Sequence, residues 1–180
     1  MQLTQASEGI NAFAFLPNND LLLVTDGRHS VSGASGDDED ILRFSPTRTG
    51  SVTRGTWSTY FDGSDVGLGP NTAGVRVGID GLSVLNNGQL VISLDNNSDF
   101  PLAGLSIADE DLLLFDPAQT GAATRGSWTK YFDGSDVQLA DEADPKREDV
   151  NAVHVADQGR ANPLIYMSAV TELDVRAVVA

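Results

Sequence analysis

Cysteine is absent from this 180-residue chain. Its absence excludes disulfide bonds, cysteine-based zinc sites and catalysis by a thiol. Long apolar runs are missing as well, since no stretch approaches the roughly 20 residues that a membrane-spanning helix needs. The first residues, MQLTQASEGINAF, lack the basic start and apolar segment of a signal peptide. We therefore expect no membrane span, and either a piece of a longer protein or a small protein exported by another route.

Basic residues are scarce. Lysine and arginine number 11 against 26 aspartates and glutamates, which gives a net charge of −15. A surface this negative repels phosphate backbones, so nucleic acid is excluded as a partner. It favours solubility, and it favours divalent cations wherever carboxylates converge. The hydrophobic share of 41% is enough to build a core, which excludes a disordered chain.

Helical periodicity is also absent, and a long internal repeat is present instead. The stretches Ile41–Leu68 and Leu112–Leu139 are identical at 17 of 28 positions, and both contain W-x-x-Y-F-D-G-S-D-V-x-L. Three other segments, which start at Ile10, Ile79 and Val150, also match one another, at spacings of 69 and 71 residues. The chain therefore repeats with a period of about 70 residues.

Each repeat contains four short apolar or aromatic runs separated by turn residues, which predicts four antiparallel strands. Four such strands, repeated, are typical of a β-propeller blade. We predict an all-β fold, a partial propeller of nearly three blades within a single repeat domain. The blades cover about 8–68, about 77–139 and, incompletely, about 148–180. A β-sandwich is the alternative fold.

The sequence also predicts where the long loops lie and where the third strands end. The polar segments Asp26–Glu39 and Asp95–Glu110 are expected to be long loops, which often carry binding residues in repeat proteins. The third strand of each blade is expected to end at a proline, Pro46 or Pro117. In the incomplete blade, Glu172–Ala180 aligns with the third strand, and no fourth strand follows.

A specific motif resembles a known kind of protein. The pattern D-E-D-[IL]-x-x-F-x-P, then W-x-x-Y-F-D-G-S-D-V-x-L, then E-D-[IV]-[DN]-A is similar to a tandem repeat of large bacterial extracellular proteins. It is more loosely similar to phytase-like and gluconolactonase-like propellers. The resemblance implies a secreted or cell-surface bacterial propeller, and it implies no particular reaction. The chain departs from the pattern at Val77, where Glu8 and Glu148 stand in the other repeats.

Carboxylates and amides recur at the start of each first strand, which is the strand nearest the axis of a propeller. Calcium takes six to eight oxygen ligands from such groups. The metal candidates that would converge on a central channel are Glu8, Asn11, Asp80, Glu148 and Asn151. The alternative is that the repeated aspartates form turns and bind backbone N–H groups.

Aromatic residues and histidines are the remaining candidates. Trp57 and Trp128 recur at one strand position, which favours buried packing between blades over a sugar-stacking surface. His29, in the first long loop, and His154, on a first strand, are weak binding candidates. Neither has an identifiable nucleophile or orienting carboxylate, so a packed or exposed structural histidine is the competing interpretation.

No catalytic motif is present, so we predict no catalytic residues. The expected function is a non-catalytic extracellular binding or structural module, stabilised by calcium and completed by self-association or by neighbouring protein subunits. Its other expected partners are a glycan or a small molecule. The alternative is a calcium-dependent propeller hydrolase of lactonase or phosphoesterase type.

Overall fold

A computed structural model describes residues 3, 8–70, 77–95, 100–137, 139, 149–156 and 163–169. The described chain is all-β, as the sequence predicts. Its helical segments in these ranges are two single 3-10 turns, Ser64–Val66 and Ser135–Val137. They occupy the two copies of the Gly-Ser-Asp-Val motif.

The first repeat forms one four-stranded antiparallel sheet and a small hairpin. Its strands in chain order are β1 (Ile10–Phe15), β2 (Leu21–Thr25), β3 (His29–Val31), β4 (Ala34–Gly36), β5 (Ile41–Arg48) and β6 (Arg54–Phe61). The sheet has the order β1-β2-β5-β6, and β3 pairs with β4. This order is a simple antiparallel meander, which is compatible with a propeller blade and with one layer of a β-sandwich.

The second repeat has the same topology, and the third contributes two described strands. The strands are β7 (Gly78–Val84), β8 (Leu90–Asp95), β9 (Phe100–Leu102), β10 (Leu105–Ile107), β11 (Leu112–Gln119), β12 (Arg125–Phe132), β13 (Val150–Ala156) and β14 (Leu164–Ala169). The second sheet has the order β7-β8-β11-β12, β9 pairs with β10, and β13 pairs with β14. The expected third strand, Glu172–Ala180, lies outside the described residues.

Equivalent turns close the first hairpin of each complete sheet. Asn19, with a φ of 65°, and Gly88, with a φ of 89°, both adopt the left-handed conformation that such turns need. Just before each of them, an asparagine side chain accepts a hydrogen bond from the backbone two residues on. Asn18 Oδ1 bonds Asp20 N at 3.2 Å, and Asn87 Oδ1 bonds Gln89 N at 3.1 Å.

The innermost strands pack side by side, with β7 between β1 and β13. Six of the seven residues of β7 are buried, whereas β1 is largely exposed. Phe13 is 60% exposed, while Leu82, its counterpart in β7, is 3% exposed. Burial therefore depends on whether another sheet lies on that face.

Two expectations about strands and loops are wrong in detail. Strands β5 and β11 run on through Pro46 and Pro117 instead of ending there. The prolines are tolerated because they lie past the part of each strand that pairs with its inner neighbour, Leu42–Phe44 and Leu113–Phe115. The predicted long loops contain the hairpins β3–β4 and β9–β10.

In each complete repeat, an aspartate side chain of the Asp-Glu-Asp motif accepts a hydrogen bond from the backbone of the Asp-Gly-Ser-Asp motif. Asp40 Oδ1 accepts from Gly63 N at 2.9 Å, and Asp111 Oδ1 accepts from Gly134 N at 3.1 Å. A Cβ atom at Gly63 would clash with the carbonyl oxygen of Glu39. The Asp-Glu-Asp and Asp-Gly-Ser-Asp motifs therefore recur together because each fits the other.

The turn that leaves the first sheet is fastened to the second sheet. Asp62 N donates to Thr124 Oγ1 at 2.8 Å, Thr124 N donates to Asp65 Oδ2 at 2.8 Å, and Trp128 Nε1 donates to Val66 O at 3.0 Å. The prediction of a buried tryptophan between blades is confirmed for Trp128, which is 8% exposed.

Trp57 occupies the equivalent position and is only partly buried, so the same prediction is wrong for it. It packs on Phe44 with the ring centroids 4.7 Å apart. Leu3 joins the small cluster around Trp57. Trp128, in contrast, is covered by the whole exit turn of the first sheet. The difference in burial reflects this smaller cover.

Candidate functional site

A groove of about 570 Å³ lies along the innermost strands. Its walls are mostly apolar, and they include Phe13 and Phe15 of β1 and Tyr166 of β14. Its polar side chains include Asn11 and Asp80. Large apolar grooves with a few polar groups are the usual form of a binding site.

Asp80 is the most unusual group of the groove. It is 4% exposed, and its Oδ1 accepts a hydrogen bond of 2.6 Å from Ser93 Oγ. Burial raises its pKa to about 8, and the adjoining carboxyl of Asp149 adds to the rise. The pKa of Asp149 is raised as well, by burial. Because two adjoining negative charges repel each other, this pair favours a proton on one of the two carboxyls.

The candidate metal residues at the starts of the first strands are brought together only in part. Asn11 and Asp80 line the same groove, and Asn11 Nδ2 donates to Ile79 O at 3.0 Å. Glu8 is 6% exposed, and its Oε1 accepts from Ser30 N at 3.1 Å, beside the hairpin β3–β4. Asn151 Oδ1 accepts from Ser168 Oγ at 2.9 Å. Glu148 lies outside the described residues.

The two histidines have different surroundings. His29 is 2% exposed, and its Nδ1 lies 2.9 Å from Thr25 Oγ1. Burial lowers the pKa of His29, which favours the neutral ring. His154 is exposed, lines the groove and stacks on Tyr166 with the ring centroids 6.1 Å apart. Of the two, only His154 offers a surface to a ligand.

A second acidic site lies where the first sheet meets the second, and we call it junction 1. It consists of Asp37, Asp38 and Glu39, which each place a carboxylate oxygen within 4.8 Å of the others. Asp38 O accepts a hydrogen bond of 3.0 Å from Ile79 N, which fixes the site to β7. Glu39 is 5% exposed, and its Oε2 has no hydrogen-bond partner.

An equivalent place, junction 2, lies where the second sheet meets β13. It consists of Asp109 and Glu110, with Ala108 in the position of Asp37. Asp109 O accepts from Val150 N at 3.0 Å, which matches the bond at junction 1. Glu110 is 4% exposed, and its Oε2 also has no hydrogen-bond partner.

Burial raises the pKa of both buried glutamates to about 7. The adjoining carboxyls of Asp38 and Asp109 raise the two values further, against hydrogen bonds from the backbone of each glutamate, which lower them. Both junctions therefore hold a carboxyl whose charged form is costly in the absence of a counter-charge.

A lysine distinguishes the junctions. Lys130 Nζ lies 2.8 Å from Asp111 Oδ2 and 2.9 Å from Asp133 Oδ2 at junction 2. Thr59 stands at the equivalent position beside junction 1. The protein thus supplies a lysine to the carboxylates around junction 2, and a threonine at the same place in the first sheet.

Comparison of the chain with protein families, curated proteins and solved structures gives no significant match. Within the ranges that the structure describes, no helix has the length and apolarity needed to cross a membrane. The arguments about function therefore rest on the groove, the carboxyl pair and the two junctions.

Sequence reasoning recognised the repeated Asp-Glu-Asp motifs but placed none of their residues among the metal candidates. It also missed Asp149, which stands where Gly9 and Gly78 stand in the other repeats. This departure from the repeat could have identified Asp149 from the sequence. The carboxylate oxygens of Glu39 and Glu110 that lack hydrogen-bond partners could not be predicted from the sequence, because they result from packing between sheets.

Proposed function

We propose that this chain is a non-catalytic module of propeller blades that is completed by a second copy of itself. The observation that carries the proposal is the exposed apolar face of β1. Ile10, Phe13 and Phe15 are 58%, 60% and 61% exposed. Side chains of this size in a row mark an interaction surface.

The later blades indicate what covers such a face. Leu82, the counterpart of Phe13 in β7, belongs to a buried cluster that includes Ala12 and Leu22 of the first sheet. The counterpart in β13 is Val153, which is buried with Val91 of the second sheet. In both cases the face is covered by the preceding sheet. The face of β1 accordingly fits another blade of the same kind.

The far end of the described chain supports a second copy as the source of that blade. Along β14, Leu164 and Tyr166 are 50% and 58% exposed. Apolar surface is thus left open at both ends of the series of blades. Two copies related by a two-fold axis would bury both surfaces and supply about six blades, a common propeller size.

The proposed setting is extracellular. The resemblance of the W-x-x-Y-F-D-G-S-D-V-x-L motif to bacterial extracellular repeats supports this setting, and the absence of cysteine is compatible with it. An acidic, soluble module of this kind would serve as a structural or binding unit on or outside the cell.

Sedimentation at micromolar concentration tests the assembly. We expect a species of about twice the 19.0 kDa chain mass. The double variant Phe13→Ser, Phe15→Ser should sediment as a monomer and keep its fold, because both side chains are largely exposed. Val52→Ser, an exposed apolar residue between β5 and β6, is the matched control and should remain dimeric. A monomeric wild-type protein, or a dimeric double variant, would contradict the proposal.

One observation favours a hydrolase as the second candidate. Asp80 lines the groove, and its protonated carboxyl beside Asp149 has the form of a general acid. A screen of lactones and phosphate esters, with and without calcium, tests this candidate. Turnover by the wild-type protein that is lost in Asp80→Asn would support hydrolysis. No turnover by the wild-type protein would contradict the hydrolase and favour the structural module.

A further inference from the structure

We propose that junction 1 binds one calcium ion through the carboxylates of Asp37, Asp38 and Glu39. The proposal does not depend on self-association. Its ligands differ from the metal candidates that the sequence pattern indicated, although junction 1 lies beside the start of β7.

The ligand atoms are already assembled. Oxygen atoms of the three carboxylates lie within 4.8 Å of one another, close enough to share one ion. Calcium bonds oxygen at 2.3–2.6 Å, so two ligands on opposite sides of one ion lie about 4.6–5.2 Å apart. Carboxylates are the hard oxygen ligands that calcium prefers, and water supplies the positions that the protein leaves open.

The independent observation is the orphaned carboxylate oxygen inside the cluster. Glu39 is 5% exposed, and its Oε2 makes no hydrogen bond, as is also true of Asp38 Oδ1. A buried polar atom without a partner destabilises the folded protein, and more so when the atom is charged. Two such oxygens in one three-carboxylate cluster are satisfied at once by a cation.

Neighbouring structure holds the cluster in place. Asp40, the next residue, is bonded through both oxygens to backbone, at Asp37 N (3.0 Å) and Gly63 N (2.9 Å). It therefore positions the loop without being a ligand. The glycines fit closely, since a Cβ at Gly69 would lie 3.6 Å from Glu39 Oε1 and a Cβ at Gly78 would lie 3.4 Å from Asp38 Oδ2.

Junction 2 explains why only one ion is proposed. Ala108 replaces Asp37 there, so the cluster loses a carboxylate. Lys130 also brings a positive charge to the adjacent Asp111. With one ligand fewer and a lysine nearby, junction 2 should bind calcium at least tenfold more weakly than junction 1.

The test is calorimetric titration of the intact chain with calcium chloride, together with melting curves. We expect one site with a Kd of roughly 10⁻⁴–10⁻³ M, the range of extracellular calcium modules. Calcium at about 100 times the Kd should raise the melting temperature by roughly 5 °C. Glu39→Gln should weaken binding at least tenfold and reduce this rise by about half or more.

Two control variants distinguish binding at junction 1 from nonspecific attraction of calcium to a negatively charged protein. Glu110→Gln makes the same change at junction 2, and Asp136→Asn removes one charge from an exposed turn. Both should keep the wild-type affinity. The proposal is overturned if calcium produces neither heat nor a melting shift. It is also overturned if Glu39→Gln binds as the wild-type protein does, or if all three variants weaken binding equally.

Discussion

Asp80 shows how much one position can change the chemistry of a repeat. Its counterparts at the same place are Asn11 and Asn151, and Asn11 donates a hydrogen bond to the next blade, at Ile79 O. An ionised aspartate has no donor for such a bond. In its place, Asp80 meets Asp149 and Ser93, and burial keeps its proton. Comparison of the repeats in the sequence identifies Asp80 as unusual, but only the packed structure shows that Asp149 is its partner.

Replacing Asp80 by asparagine should change how stability depends on pH. The folded protein holds the Asp80 proton up to about pH 8, whereas the unfolded chain releases it near pH 3.9. Because the folded state binds more protons between these values, the contribution of Asp80 is complete below pH 4 and is lost as the pH rises towards 8. Asp80→Asn should therefore become progressively more stable than the wild-type protein over this range.

Urea unfolding at pH 5, 7 and 9 in the presence of a chelator measures this difference. Asp116→Asn, a change at an exposed aspartate of β11, is the control and should follow the wild-type curve. Parallel curves for the wild-type protein and Asp80→Asn would show that the proton on Asp80 does not contribute.

At the scale of single elements, the long strands were predictable and the short ones were not. β2 and β8 are continuous apolar runs between turn residues, which is the distinctive pattern on which the prediction of four strands in each repeat rests. The three-residue strands β3, β4, β9 and β10 are too short to show a period. Phe100, Leu102 and Ile107 in the second small hairpin are nevertheless buried, so apolar residues in a polar loop were the available signal.

The outer strands β6 and β12 allow a matched test of packing between blades. Trp128→Phe removes the hydrogen bond to Val66 O and leaves that carbonyl unsatisfied, which should cost about 1–3 kcal/mol of the free energy of unfolding. Trp57→Phe should cost under about 1 kcal/mol, because Trp57 is partly exposed and has no such bond among the described residues. Chemical denaturation of both variants gives the comparison, and equal losses would contradict it.

For the whole molecule, the repeat period was the most informative part of the sequence. A spacing of about 70 residues predicted separate sheets of equal topology, and the all-β prediction is confirmed. The candidate site was less accessible. Asn11 and Asp80 do share a groove, but the junction carboxylates depend on which atoms meet between sheets. Sequence patterns specify faces and turns, whereas an unsatisfied oxygen exists only after the faces are packed.

Self-association would also make stability depend on protein concentration. A dimer that buries Phe13 and Phe15 should melt at a higher temperature as the concentration increases, since association stabilises the folded state by mass action. The double serine variant should melt at one temperature at all concentrations. The dependence of the melting temperature on concentration thus tests the role of Phe13 and Phe15 independently of sedimentation.

The bonds from Asp62, Asp65 and Val66 to Thr124 and Trp128 join residues 59 to 62 positions apart, within one period of the chain. The first sheet supplies the turn of this connector and the second supplies the strand that receives it. The sequences of both complete repeats contain both halves, since Thr53 and Trp57 stand at the positions of Thr124 and Trp128. Duplication of one unit in the gene would insert a blade with its attachments already specified. Arrays of different lengths can therefore arise by copying alone, without the evolution of a new interface.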